Sequence, residues 1–240
     1  MKVTNILIVI ILLVQGDSYN DFVNIFPKIE YDEYGNFLTR ELSAKTYSNL
    51  AKEYDIIPNN LSFKYLCDSD SSKFKYEYGL YNMDEDRYTK FVTEFYKHYA
   101  VSSWKKQNYV AVIYSKFDNR KDKFLLRTFN NQGDLVNELT INEYKYEGSG
   151  ITPEFFSFSL ISPDSIKLFT YNDTENPESE DEKSPLVTKV VIENYAIDSL
   201  GRFNRVDVDS VLLSKPMRAY SNFDVEPEVD DPVYKFWTLW

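Results

Sequence analysis

From about residue 73 onward, apolar and polar residues alternate in runs of strand length separated by turn residues, which is the pattern of half-buried β-strands. Phe74, Tyr76, Tyr78 and Leu80 share one face, with Lys73, Lys75 and Glu77 on the other. The same period of two runs through Leu135, Asn137, Leu139 and Ile141, through Phe156, Phe158 and Leu160, and through Val187, Lys189, Val191, Glu193, Tyr195 and Ile197. A further strand is expected over Phe203 to Leu213. Tyr109 to Phe117 and Phe124 to Phe129 are apolar on both faces, as central strands covered on both sides would be.

Three short segments share a finer pattern: Asp32 to Phe37, Asn130 to Leu135, and Asp198 to Phe203. Each opens with Asp or Asn, places Gly three residues later where a positive φ is needed, and has an apolar residue two positions after that Gly that is expected to begin the next strand. They are expected to reverse the chain as hairpin turns. Their irregular spacing argues against a sequence repeat.

Helical period fits Ser43 to Tyr54, with Tyr47, Leu50, Ala51 and Tyr54 on one face and Ser43 as cap, and a second short helix fits Asn59 to Leu66 after Pro58. Arg87 to Tyr99 fits both periods, and its Tyr, Phe, Thr and Val content tips it toward strand. Asn172 to Pro185 and Tyr220 to Pro232 are expected to be acidic loops. The resulting fold class is mainly β: an antiparallel meander forming a sandwich or an incomplete propeller-like sheet stack, with one or two short N-terminal helices.

The N-terminus adds an address. Lys2, the apolar run Ile6 to Val14, and Val14-Gln15-Gly16 read as a secretory signal peptide over residues 1–16, leaving a single β-rich domain over 17–240. The apolar run is shorter than the roughly 20 residues that a transmembrane helix needs. No Cys stands near the cleavage point, so the lipid-anchored route is not supported. The expectation is export to the periplasm or the cell exterior.

The formal charge of −11 disfavours nucleic acid and anionic membranes as partners. Cys67 is the sole cysteine and cannot form an internal disulfide.

The segment Tyr109 to Ile141 carries a strand ending in Tyr114, then Thr128-Phe129-Asn130, Gly133, Leu135-Val136-Asn137, Leu139 and Ile141. In this it resembles uncharacterised exported β-rich proteins of Bacteroidetes. Phe26-Pro27-Lys28 and Tyr195 to Phe203 look like flanking marks of the same group. The resemblance implies an origin and an exported location, and no activity, so no catalytic residue is carried over.

Residue types limit the chemistry. His98 is the only imidazole, so a triad could be built only around it, and neither Ser102, Ser103 nor Cys67 sits in a nucleophile motif. With one His and one Cys, a zinc site has too few ligands. No nucleotide-binding glycine motif occurs, and no cofactor is implied. Carboxylate chemistry needs only two acids, and Asp207 and Asp209 are expected on one strand face, where a solvated surface is the simpler reading. Asp68, Asp70 and Ser72, and likewise Asp84 and Asp86, alternate oxygens as a calcium loop can begin, but lack its Gly and closing Glu.

With 20 Tyr, 17 Phe and 3 Trp, aromatic content is the unusual quantity. Aromatic rings serve either the core and cross-strand pairs of a sheet or a contact surface for sugars and proteins. Tyr234 to Trp240 alternates with both faces largely apolar, as a closing strand or a sticky edge would. The working expectation is an exported, non-enzymatic binding or surface-associated structural module for a glycan or protein. The alternative is a carboxylate-dependent carbohydrate hydrolase.

Overall fold

The structure, a computed structural model, describes residues 19–39, 53–66, 84, 87, 97–118, 121–146, 153–175 and 186–213. The protein is mainly β, with ten antiparallel strands in one sheet that does not close. After β1 (Phe37–Leu38) come β2 (Asp55–Ile56), β3 (His98–Lys105), β4 (Tyr109–Asp118), β5 (Lys121–Asn130) and β6 (Leu135–Tyr146). The chain continues through β7 (Pro153–Ser162), β8 (Ser165–Glu175), β9 (Leu186–Ile197) and β10 (Phe203–Leu213). From β2 to β10 each strand pairs with its successor, the meander that the alternating runs predict.

The sheet curls so that its two halves enclose a core. Val101, Trp104, Tyr109, Ala111, Ile113, Phe124, Leu126 and Ile141 from β3–β6 meet Ile161, Ile166 and Ile197 from β7–β9. The opposite face of β4 and β5 packs under two short helices, α1 (19–24) and α2 (Asn59–Tyr65). Every residue from Tyr109 to Ser115 and from Phe124 to Phe129 is therefore buried, which is why these strands are apolar on both faces.

Helix α1, which the sequence reading did not anticipate, presents Tyr19 and Phe22, and Phe26 continues that face beyond its end. The Phe22 ring stacks on Tyr65 at 4.6 Å and meets Phe129 edge-on at 5.7 Å. In α2, Leu61, Ser62, Tyr65 and Leu66 are buried, and the Pro58 carbonyl accepts the Ser62 N–H at 2.9 Å.

Part-way along β7 the sheet splits. β6 pairs with β7 only from Glu143 to Tyr146, and beyond that β1 lies against β7 instead, with Phe37 opposite Ile161 and Leu38 opposite Leu160. Buried backbone groups parted from a neighbour must find other partners. Ser159 N donates to Thr39 Oγ1 at 2.7 Å, and Ser159 Oγ and Thr39 Oγ1 both donate to the Ile141 carbonyl, at 2.7 and 3.2 Å. Asn142 Nδ2 donates to the Thr39 carbonyl at 2.8 Å.

The three Asx-Gly segments form one and the same turn. Asp32, Asn130 and Asp198 each accept two backbone N–H groups on the side-chain oxygen, from the residues two and four positions later. The glycines three positions on have φ of 77°, 89° and 83°.

Two expectations need revision. The loop expected from Asn172 begins later, because β8 runs to Glu175 and pairs with Leu186–Lys189 of β9. The hairpin between β7 and β8, turning at Pro163-Asp164, was not anticipated either. Of the helix expected over Ser43–Tyr54 only the end is described, with Glu53 helical. The strand expected at Phe74–Leu80, most of Arg87–Tyr99, the acidic stretches 176–185 and 220–232, the signal peptide and Tyr234–Trp240 lie outside the described residues.

Candidate functional site

His98 opens β3 and lies wholly beneath α2. Its Nδ1 hydrogen-bonds Ser62 Oγ, and its ring meets Tyr114 edge-on at 5.4 Å. Burial, helped by the cations of Lys116 and Arg127, pushes its pKa down to about 3. A hydroxyl on an imidazole is the first half of a nucleophile–base pair, but this imidazole is too weak a base near neutral pH. The charges that add to this shift, Lys116 and Arg127, are cations, which act opposite to the carboxylate that stabilises an imidazolium in a triad. Ser62 and His98 are 3% and 1% exposed, so the pair is closed to substrate.

Ser102 and Ser103 serve elsewhere. Ser103 Oγ lies 3.3 Å from the Pro27 carbonyl, Ser103 N donates to the same oxygen at 2.7 Å, and Ile29 N donates to Ser103 O at 2.8 Å. Residues 27–29 thereby cover one part of the β3 edge, and β2 covers another by pairing with Tyr99 and Ala100.

Next to His98 lies a charged group that the sequence reading missed. Arg127, only 5% exposed, donates through Nε to Glu138 Oε2 and through Nη1 to the Tyr65 carbonyl at the end of α2, the latter at 2.8 Å. Tyr114 OH donates to the same Glu138 oxygen at 3.1 Å, and the guanidinium sits 5.7 Å from the Tyr114 ring centre. The signal was present in Phe124-Leu125-Leu126-Arg127-Thr128-Phe129, where one cation interrupts a strand buried on both faces. A charge there needs built-in partners. The arrangement ties α2 to β4, β5 and β6. Arg127→Met is expected to cost about 2 kcal/mol, below the usual cost of breaking a fully buried pair because Glu138 stays partly in water, and urea unfolding would measure it.

Asp207 and Asp209 do lie together on one face of β10, opposite Asn194 and Ile192 of β9. Both are exposed, and residues two apart on a strand stand about 6.7 Å apart. A glycosidase pair flanks the scissile bond from opposite sides, whereas these carboxylates stand side by side on an open strand. Asp84 accepts the Arg87 N–H at 2.9 Å, and its other carboxylate oxygen lies 3.5 Å from Arg87 Nε. Cys67, Asp68, Asp70, Ser72 and Asp86 lie outside the described residues. Among the described residues no three His, Cys, Asp or Glu side chains gather as a metal site would require.

The aromatic residues whose burial is described are mainly core. Tyr99, Tyr109, Tyr114, Phe22, Phe124 and Phe129 are fully buried, and among the aromatic side chains whose burial is described Tyr34, at 69%, is the exposed one. The exposed apolar side chains that cluster instead belong to β10: Val206 at 68%, Val208 at 49% and Leu212 at 44%.

β10 is an eleven-residue strand at the end of the sheet, with β9 on one side and no strand on the other among the described residues. A bulge between Arg205 and Asp207 interrupts its ladder with β9. Arg205 on this strand is engaged with Glu193 at 3.1 Å, whereas Asp207 and Asp209 pair with no cation among the described residues. Set against known proteins, the chain matches no family model, no curated protein and no solved structure.

Proposed function

We propose that this chain is an exported, non-enzymatic binding module, acting in the periplasm or at the cell exterior, whose partner is a protein engaged along the open edge of the sheet. The observation that carries the reading is β10: eleven residues with exposed valines and no strand beyond them among the described residues, whereas β3 near the opposite end of the sheet is covered by residues 27–29 and β2. An edge of this kind presents backbone donors and acceptors to an incoming strand. No helix among the described residues is long and apolar enough to cross a membrane. An origin among Bacteroidetes, on the resemblance of Tyr109–Ile141, belongs to the same proposal.

A glycan partner has less support, because among the aromatic side chains whose burial is described only Tyr34 is exposed, and a lone ring is a small platform for a sugar. The test is a polysaccharide array probed with the chain from Asp17 onward, with reducing-sugar release followed in the same wells. Neither retention nor release is expected. Release that disappears in Asp207→Asn or Asp209→Asn would replace this reading with the hydrolase, and retention without release would move the partner from protein to glycan.

A further inference from the structure

We infer that the β10 edge is built for an extended segment of a partner protein carrying basic side chains at alternate positions around an apolar one. This deepens the reading above and rests on it.

An added strand would run about 4.8 Å from β10, each of its side chains facing a β10 side chain on the same face of the sheet. On one face it would meet Asp207 and Asp209, and on the other Val208, Ser210 and Leu212. The residues opposite Asp207, Val208 and Asp209 therefore want the order basic, apolar, basic. The single cation of this strand, Arg205, already holds Glu193, and Asp209 Oδ1 accepts the Ser210 N–H at 2.7 Å, so the charge that β10 offers is negative, with Asp207 and the second oxygen of Asp209 to carry it.

The same two acids select against other occupants. A second copy aligned Val208 to Val208 would set Asp207 opposite Asp209 twice over, and like charges directly opposite destabilise a strand pair. The net charge of −11 opposes self-association further. Acids and a bulge are devices by which edge strands avoid indiscriminate pairing, and a basic partner turns the repelling acids into contacts.

The experiment uses the full chain from Asp17 and three synthetic peptides, each with valine at its centre flanked by two lysines, two threonines or two glutamates. A fourth is the lysine peptide N-methylated along one backbone edge. The lysine peptide is expected to bind about tenfold more tightly than the threonine peptide, as two cross-strand ion pairs would give. That ratio should fall to near one when Asp207→Asn and Asp209→Asn are combined, a change at two exposed side chains that leaves the core untouched. N-methylation should abolish binding, and β10 amides should gain hydrogen-exchange protection in the complex.

Equal binding of lysine and threonine peptides, still lost on N-methylation, would overturn the charge selection and leave strand addition standing. Binding indifferent to N-methylation would overturn strand addition itself. No binding, with the β10 amides that point away from β9 already protected in the free chain, would show the edge occupied, and sedimentation would tell a second copy from a segment of the same chain; either result overturns both readings.

Discussion

Taking the protein from pH 7 to pH 4 is expected to remove several kcal/mol of stability through one side chain. His98 titrates near 6.5 when the chain is unfolded and near 3 in the fold, where burial disfavours its charged form. Below about pH 6.5 the unfolded chain takes up a proton that the folded chain refuses. The contribution is full above pH 6.5, declines by up to about 1.4 kcal/mol per pH unit as the pH falls, and is exhausted near pH 3. Urea midpoints measured across this range should show the slope in the native chain and a shallower one in His98→Gln, whose amide carries no proton to gain. Should that variant fail to fold, the lone histidine gives a direct reading, because its imidazole NMR signals need no assignment. They should not move between pH 8 and pH 4.5, and a midpoint near 6.5 would refute the closed environment described under α2.

Replacing Gly201 with Ala is expected to cost about 3 kcal/mol, against about 1 kcal/mol for the same change at Gly35. Both glycines hold positive φ in the same kind of turn, 83° and 77°, and a side chain there costs about 1 kcal/mol. The sites differ in what a Cβ meets. At Gly35 nothing lies within 4 Å, whereas at Gly201 it would stand 2.9 Å from Tyr109 Cγ and 3.2 Å from Thr128 Cβ. Those atoms are the root of a buried ring and a buried β-branched carbon, so neither swings aside, and overpacking of this kind costs about 1–3 kcal/mol. The Gly201 carbonyl also accepts the Thr128 hydroxyl at 2.7 Å, which any backbone shift would loosen. Denaturant midpoints of the two variants compared with the native chain check the difference. Equal losses would mean that the β9–β10 turn does not rest against β4 and β5.

Much of this architecture can be read in one dimension. Strand positions follow from alternation where one face of a strand meets core and the other meets water, and β10 begins and ends where its pattern does, at Phe203 and Leu213, whereas β3, buried along nearly its whole length, and β8 were not expected. The Asx-Gly turns are equally legible, since an acceptor side chain and a residue tolerant of positive φ are local requirements. α1 escaped because its apolar residues follow closely on the expected signal peptide and only Tyr19, Phe22 and Phe26 mark its face. β1 was expected only as a strand beginning at Phe37, and its two residues carry no period that could give its length or its partner.

The candidate site was less legible. That Asp207 and Asp209 share a face followed from their spacing, but that this face belongs to an edge strand did not. His98 was singled out as the only imidazole, while Ser62, which it meets, lies 36 residues away and Arg127 lies 29. Contacts at such separations depend on how the strands curl and which helix covers them.

Local chemistry, then, determined which segments became strands, where the chain turned and which catalytic inventories were too poor to assemble. It did so because period, capping and φ preference act over a few residues. Only the tertiary structure decided that β4 and β5 would be covered on both faces, that Arg127 would become a buried tie between helix and sheet, and that β10 would stand at the end of the sheet among the described residues. Those outcomes follow from the order and curvature of the whole sheet, which bring together side chains whose separation along the chain carries no signal.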